Sequence, residues 1–89
     1  MADQITAYVQ NVSADTTYTV SVYDLFGGAT RPVTGSPFSL NPQGDRSTGF
    51  MVYVDNTGVG MIRCLDPQGQ YLCADSQVTA DQATVTFPR

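Results

Sequence analysis

Thr16-Thr17-Tyr18-Thr19-Val20-Ser21-Val22-Tyr23-Asp24 is the stretch that decides the fold class of this chain. Tyr18, Val20 and Val22 share one face; Thr17, Thr19, Ser21 and Tyr23 share the other. A period of two marks a half-buried strand, and Thr, Val and Tyr suit its pleated surface. No eleven-residue window places apolar residues at i, i+3, i+4 and i+7 with good helix formers between them, so a helical reading fails. Composition agrees, because the chain contains neither Lys nor Glu, two strong helix formers.

Working outward, residues 5–12 read as the preceding strand, joined through Ser13-Ala14-Asp15. Gly27-Gly28, Arg31-Pro32 and Gly35-Ser36-Pro37 make residues 25–37 mostly loop, with a short edge strand at 30–34. Phe38-Ser39-Leu40 is a brief strand, and Asn41-Pro42-Gln43-Gly44-Asp45 is a turn. Residues 48–54 and 59–65 read as strands joined in a hairpin by Asp55-Asn56-Thr57-Gly58, since Asn and Gly tolerate positive φ. A second hairpin turns at Asp66-Pro67-Gln68-Gly69 and returns through Tyr71-Leu72-Cys73. Residues 74–81 read as a polar loop and 83–87 as the last strand.

Short strands at this spacing predict an all-β fold: a small antiparallel Greek-key β-sandwich of six or seven strands, one domain over residues 1–89. The expected core is Ile5, Val9, Tyr18, Val20, Val22, Phe38, Leu40, Phe50, Val52, Val54, Met61, Val85 and Phe87. Met51 and Ile62 fall on the second face of their strands, which central burial or a self-association face explains.

Tyr18-x4-Tyr23, followed by Gly27 and Ser36, is similar to one arm of the βγ-crystallin Greek key. Leu25 stands where that motif has its glycine, and the family's calcium clamp is missing, so no functional residue carries over. The run of strands also resembles immunoglobulin-type sandwiches, without the buried Trp and inter-sheet Cys pair of antibody domains.

The functional reading starts from absences. The chain has no His, Lys, Glu or Trp. His is the usual general base and metal ligand near neutral pH, and Lys supplies Schiff bases. No Ser or Cys has a base to activate it, and no signature marks an acid pair, so no enzymatic activity, cofactor or metal is expected. Eight Asp against four Arg give a net charge of −4 with no basic cluster, which argues against nucleic acid and anionic membranes. No apolar run approaches the ~18 residues of a membrane span. Met1-Ala2-Asp3-Gln4 is not a signal peptide. The location is therefore cytoplasmic, or secreted or cell-surface if a leader has been removed; the preference for Arg over Lys points to a GC-rich bacterial genome.

Three groups of residues carry candidate roles. Tyr8, Tyr23 and Tyr53 are out of phase with the aliphatic set of their strands and so stand on outer faces. Exposed rings serve as stacking platforms for sugars or anchors for proteins, and as ladders that simply stabilise a sheet. Cys64 and Cys73 face one another if Asp66 pairs with Tyr71 across a four-residue loop; a three-residue loop separates them. A bridge there stabilises by about 2.5–3 kcal/mol in the chain-entropy picture; the alternative is two packed thiols. Asp55-Asn56-Thr57-Gly58 has part of a calcium loop's composition, but turn chemistry accounts for it. Arg63, between Ile62 and Cys64, needs a carboxylate if buried. Asn11-Val12-Ser13 fits the glycosylation pattern of a eukaryotic secretory protein.

The function expected is a non-catalytic binding or interaction module, a small bacterial surface or secreted protein recognising a glycan or protein partner, monomeric or weakly self-associating. The other class is a structural subunit that assembles through edge strands or an exposed apolar sheet face.

Overall fold

Alternation becomes architecture in the computed structural model, which describes residues 3–43, 49–72 and 74–88. Eight strands are present among them: β1 (Asp3–Asn11), β2 (Tyr18–Asp24), β3 (Arg31–Pro32), β4 (Phe38–Leu40), β5 (Gly49–Val54), β6 (Gly60–Leu65), β7 (Ser76–Val78) and β8 (Thr84–Phe87). The described residues contain no α-helix, only a 3-10 turn at Phe26–Gly28, so none of their helices is long and apolar enough to cross a membrane. Two sheets pack face to face. Sheet one has the order β5-β1-β8; sheet two has β3-β2-β6-β7, with β4 also on β2. The chain changes sheet at four of its seven connections, so strand neighbours are mostly non-sequential.

The expected sandwich is what the structure shows, with one addition. β3 is the short edge strand expected at 30–34, whereas β7 lies within residues expected to be loop. All pairings are antiparallel except β1 with β8, where Val9 stands beside Val85 in parallel.

β2 is the hub of sheet two. One edge pairs with β6, Val22 opposite Cys64. The other is shared: Tyr23 and Asp24 pair with β3, while Tyr18, Thr19 and Val20 pair with β4. Between these pairings β2 advances three residues and its partner six, from Pro32 to Phe38, so the partner bulges. The bulge is stitched at Val22, whose carbonyl accepts from the Val33 N–H and whose own N–H donates to the Ser36 hydroxyl. A side-chain oxygen replaces the missing ladder carbonyl there, as a buried backbone donor requires.

Alternating residues of both sheets form one core, including Val9, Val20, Val22, Leu40, Val52, Ile62, Val78 and Phe87. Two aromatic pairs join the sheets: Phe38 with Phe50 at 5.6 Å and Tyr18 with Phe87 at 6.0 Å between centroids. Ile5 and Tyr18 are only partly buried against this core.

Two expectations need correction here. Residues 55–58 do form a tight turn, with the Asp55 N–H on the Val59 carbonyl, and Gly58 adopts φ 81°. The flanking strands do not form a hairpin, however: β5 joins sheet one and β6 sheet two. They separate immediately, and a Cβ on Gly60 would lie 2.7 Å from the Tyr53 carbonyl oxygen. Only glycine allows β6 to pass there. Gly60 therefore faces inward, and Ile62 and Cys64 follow in phase, both fully buried. Met61, expected in the core, stands on the outer face, with Arg63 and Leu65.

Among the described residues only two buried side chains are polar or charged, Asn11 and Asp24, and each ties one sheet to the other. Asn11, at the end of β1, donates to the carbonyls of Thr16 at 2.6 Å and Leu40 at 2.9 Å, and accepts from the Ser13 N–H at 2.9 Å. Asp24, at the end of β2, accepts from the N–H groups of Phe26 and Tyr53, each at 2.9 Å. The glycosylation reading of Asn11 is overturned: its amide is wholly buried and fully engaged.

Replacing Asn11 with Ala strands two carbonyls and one N–H, so N11A is expected to lose roughly 2–4 kcal/mol in urea denaturation. G60A places a methyl against a backbone oxygen and is expected to cost about 1–3 kcal/mol by the same measurement.

Candidate functional site

The three outward tyrosines do not share a surface. Tyr8 and Tyr53 lie on the outer face of sheet one, Tyr23 on that of sheet two. Tyr8 stands opposite Gly49, and a Cβ on that glycine would come within 3.0 Å of the Tyr8 ring. The ring thus covers backbone that glycine leaves bare. Tyr53 lies on edge strand β5, its ring 5.9 Å from that of Phe26.

Around Tyr23 the ladder assembles a different constellation. Tyr23 stands between Pro32 of β3 and Arg63 of β6. One row along, Leu65 is flanked by Ser21 and Tyr71. Directly opposed residues project to the same face, so Tyr23, Arg63, Leu65 and Tyr71 cluster on the outside of sheet two. Arg63 is held in a fork: Nε donates to one oxygen of Asp75 at 3.0 Å and a terminal nitrogen to the other at 3.1 Å. Its guanidinium carbon lies 5.1 Å from the centroid of the Tyr71 ring. Tyr71 is 56% exposed, the most exposed of the large apolar and aromatic side chains described. The carboxylate required by Arg63 is thus present, at the solvent-facing side rather than in the core.

The hydrogen bonds from Arg63 hold the Asp75 carboxyl below the ordinary aspartate range, and the same pair raises Arg63. The pair is partly exposed, so it orients the guanidinium more than it stabilises the fold.

Tyr71 went unnoticed in the sequence because its facing depends on one residue of loop length. The hairpin closes with Asp66 N–H on the Gln70 carbonyl and Leu65 opposite Tyr71. This is the three-residue loop, not the four-residue one that pairs Asp66 with Tyr71. Leu72 N–H accordingly donates to the Cys64 carbonyl, and the register that sets Cys64 against Cys73 is not adopted. Cys64 is buried on β6; Cys73 lies outside the described residues, and so does the proposed bridge.

Loop acids act as turn formers. One Asp55 oxygen accepts from the Thr57 hydroxyl, the Thr57 N–H and the Val59 N–H. Led by the hydroxyl, these bonds hold its carboxyl below the usual range. Asp66 accepts similarly from Gln68 and Gln70. Among the described residues no three His, Cys, Asp or Glu side chains gather to hold a metal. A depression of about 660 Å³ between β7 and β8 is lined mainly by neutral groups such as Ser76, Gln77 and Gln82, and its charged member, Asp75, is committed to Arg63.

The depressed values of Asp55 and Asp75 set a pH dependence. A carboxyl whose folded-state pKa lies below its unfolded value contributes stability in full above the unfolded value, and loses it as pH falls through the folded one. Urea midpoints are therefore expected to hold steady down to about pH 4, the ordinary aspartate range, and to decline below it. D75N is expected to remove part of that decline. In comparison with known proteins, the chain matches no protein-family model, no curated protein and no solved structure.

Proposed function

We propose that this domain is a non-catalytic interaction module that engages a protein partner through the outer face of sheet two, centred on Tyr23, Arg63 and Tyr71. The observation that carries the reading is the exposed Tyr71 ring beside a guanidinium already locked by Asp75. Tyr and Arg dominate the energetics of protein interfaces because they bring large amphipathic area and several donors at low entropic cost. Here part of that cost is met in advance by the fork and the ring contact. Met61 and Leu65 flank the cluster with apolar area, both partly exposed.

Charge supports the same reading. Arg63 and Asp75 neutralise one another, so the face has no net charge from that pair to steer a distant partner. Recognition rests on shape, ring contact and hydrogen bonding. The absence of His and Lys from the chain is in keeping with binding rather than chemistry.

The test compares Y71A, Y23A and R63A with a remote substitution, V12S, at an exposed residue just past β1. A partner identified by cross-linking is expected to lose roughly thirtyfold in affinity with Y71A, the scale of an interface hot spot, and little with V12S or with added salt. Affinity unchanged by all three cluster variants, or lost on raising salt, overturns the reading. Light scattering provides a further arm: an oligomer dissolved by Y71A assigns this face to self-assembly instead.

A further inference from the structure

A second, smaller cavity lies on the other side of the molecule's sheet junction. It occupies about 250 Å³ between β3 and β5, and its chemistry comes from Gln4, Asp24, Arg31, Thr34 and Tyr53. From these residues we propose a binding site for a single neutral sugar ring, the terminal or exposed unit of a glycan.

The argument begins with Asp24. It is buried, and each carboxylate oxygen already receives one backbone N–H, from Phe26 and from Tyr53. Each oxygen keeps a second acceptor position, and the two amides fix its orientation. Asp24 is therefore a rigid acceptor at the wall of the cavity. Arg31 stands directly opposite it in the β2–β3 ladder. Among the described residues the one ion pair joins Arg63 and Asp75, so the Arg31 guanidinium is not spent on a carboxylate there. It is exposed and brings a fork of donors. Gln4, opposite Tyr53 on β1, adds an amide that both donates and accepts. Tyr53 supplies an aromatic surface, 36% exposed and steadied by Phe26.

These groups select the ligand by elimination. An anion meets the fixed carboxylate of Asp24, and a cation meets Arg31. A purely apolar ligand leaves both charges and the amide desolvated without partners, which is costly. Hydroxyl groups serve an acceptor and a donor equally well, because each hydroxyl does both. A sugar ring also carries C–H surface suited to a ring such as that of Tyr53, whose body is apolar and whose tip is polar. Asp24 is the cavity's single carboxylate among the described lining residues, whereas glycoside cleavage ordinarily uses two, so the site binds without cleaving.

The experiment is a titration of the whole domain with neutral methyl pyranosides and short neutral oligosaccharides, followed by amide chemical shifts. The expected result is a saturable shift of the Phe26, Tyr53 and Arg31 amides at millimolar ligand, with the best oligosaccharide weakened about tenfold by R31A, the scale of a lost charged hydrogen bond. Y53A is expected to weaken it similarly. R31A alters an exposed side chain, so it remains informative if Y53A folds poorly. No shift of these amides with any neutral pyranoside, tighter binding of a uronate than of its neutral counterpart, or undiminished binding in R31A overturns the proposal. Y71A is expected to leave sugar binding unchanged, so failure here and failure of the protein-partner reading are separately visible.

Discussion

The carboxylate of Asp24 joins the two sheets at one end of the sandwich, and much of the local geometry follows from it. It ends β2, orders the turn at Phe26 and holds the backbone of Tyr53 on β5. An edge strand ordinarily offers its unpaired N–H groups to any passing chain. At Tyr53 that group is taken by a side chain of the opposite sheet. Asn11 performs the matching task at the other end, linking the end of β1 to the end of β4. Between the pins the described core residues are apolar.

This arrangement explains why the charged residues do different work. The chain has few charges for its size, 13% of residues, and several are spent on geometry. Asp55 and Asp66 shape turns, Asp24 ties sheets and Asp75 orients Arg63. Arg63 and Arg31 are contrasting cases. Arg63 is clamped and contributes its flat surface beside Tyr71; Arg31 borders a cavity whose acceptor is already fixed by the fold. The protein-partner and sugar readings come from that difference.

The crossing of β6 over β5 constrains the outer face as much as the core. Because Gly60 has to face the Tyr53 carbonyl, the alternation of β6 has one permitted phase. That phase sends Ile62 and Cys64 inward and presents Met61, Arg63 and Leu65 to solvent. A close backbone approach in the interior thus decides which side chains form the candidate interface.

The sequence by itself determined the all-β class, the positions of β1 to β6 and β8 to within a few residues, and the turn chemistry at 55–58 and 66–69. These are local properties: a period of two, β-branched and aromatic content, and Asp and Gly at positions of special backbone geometry. Only the tertiary structure decided which strands share a sheet, the phase of β6, the existence of β7 and the grouping of the tyrosines. Both faces of β6 carry apolar residues, so alternation could not choose between Met61 and Ile62; the contact of Gly60 with β5 chose. Tyr71 and Cys64 turned on a single residue of loop length, and a shift of one residue sends every side chain of a strand to the opposite face. Partner strands are selected by contacts distant in the chain, and no local pattern within one strand encodes them.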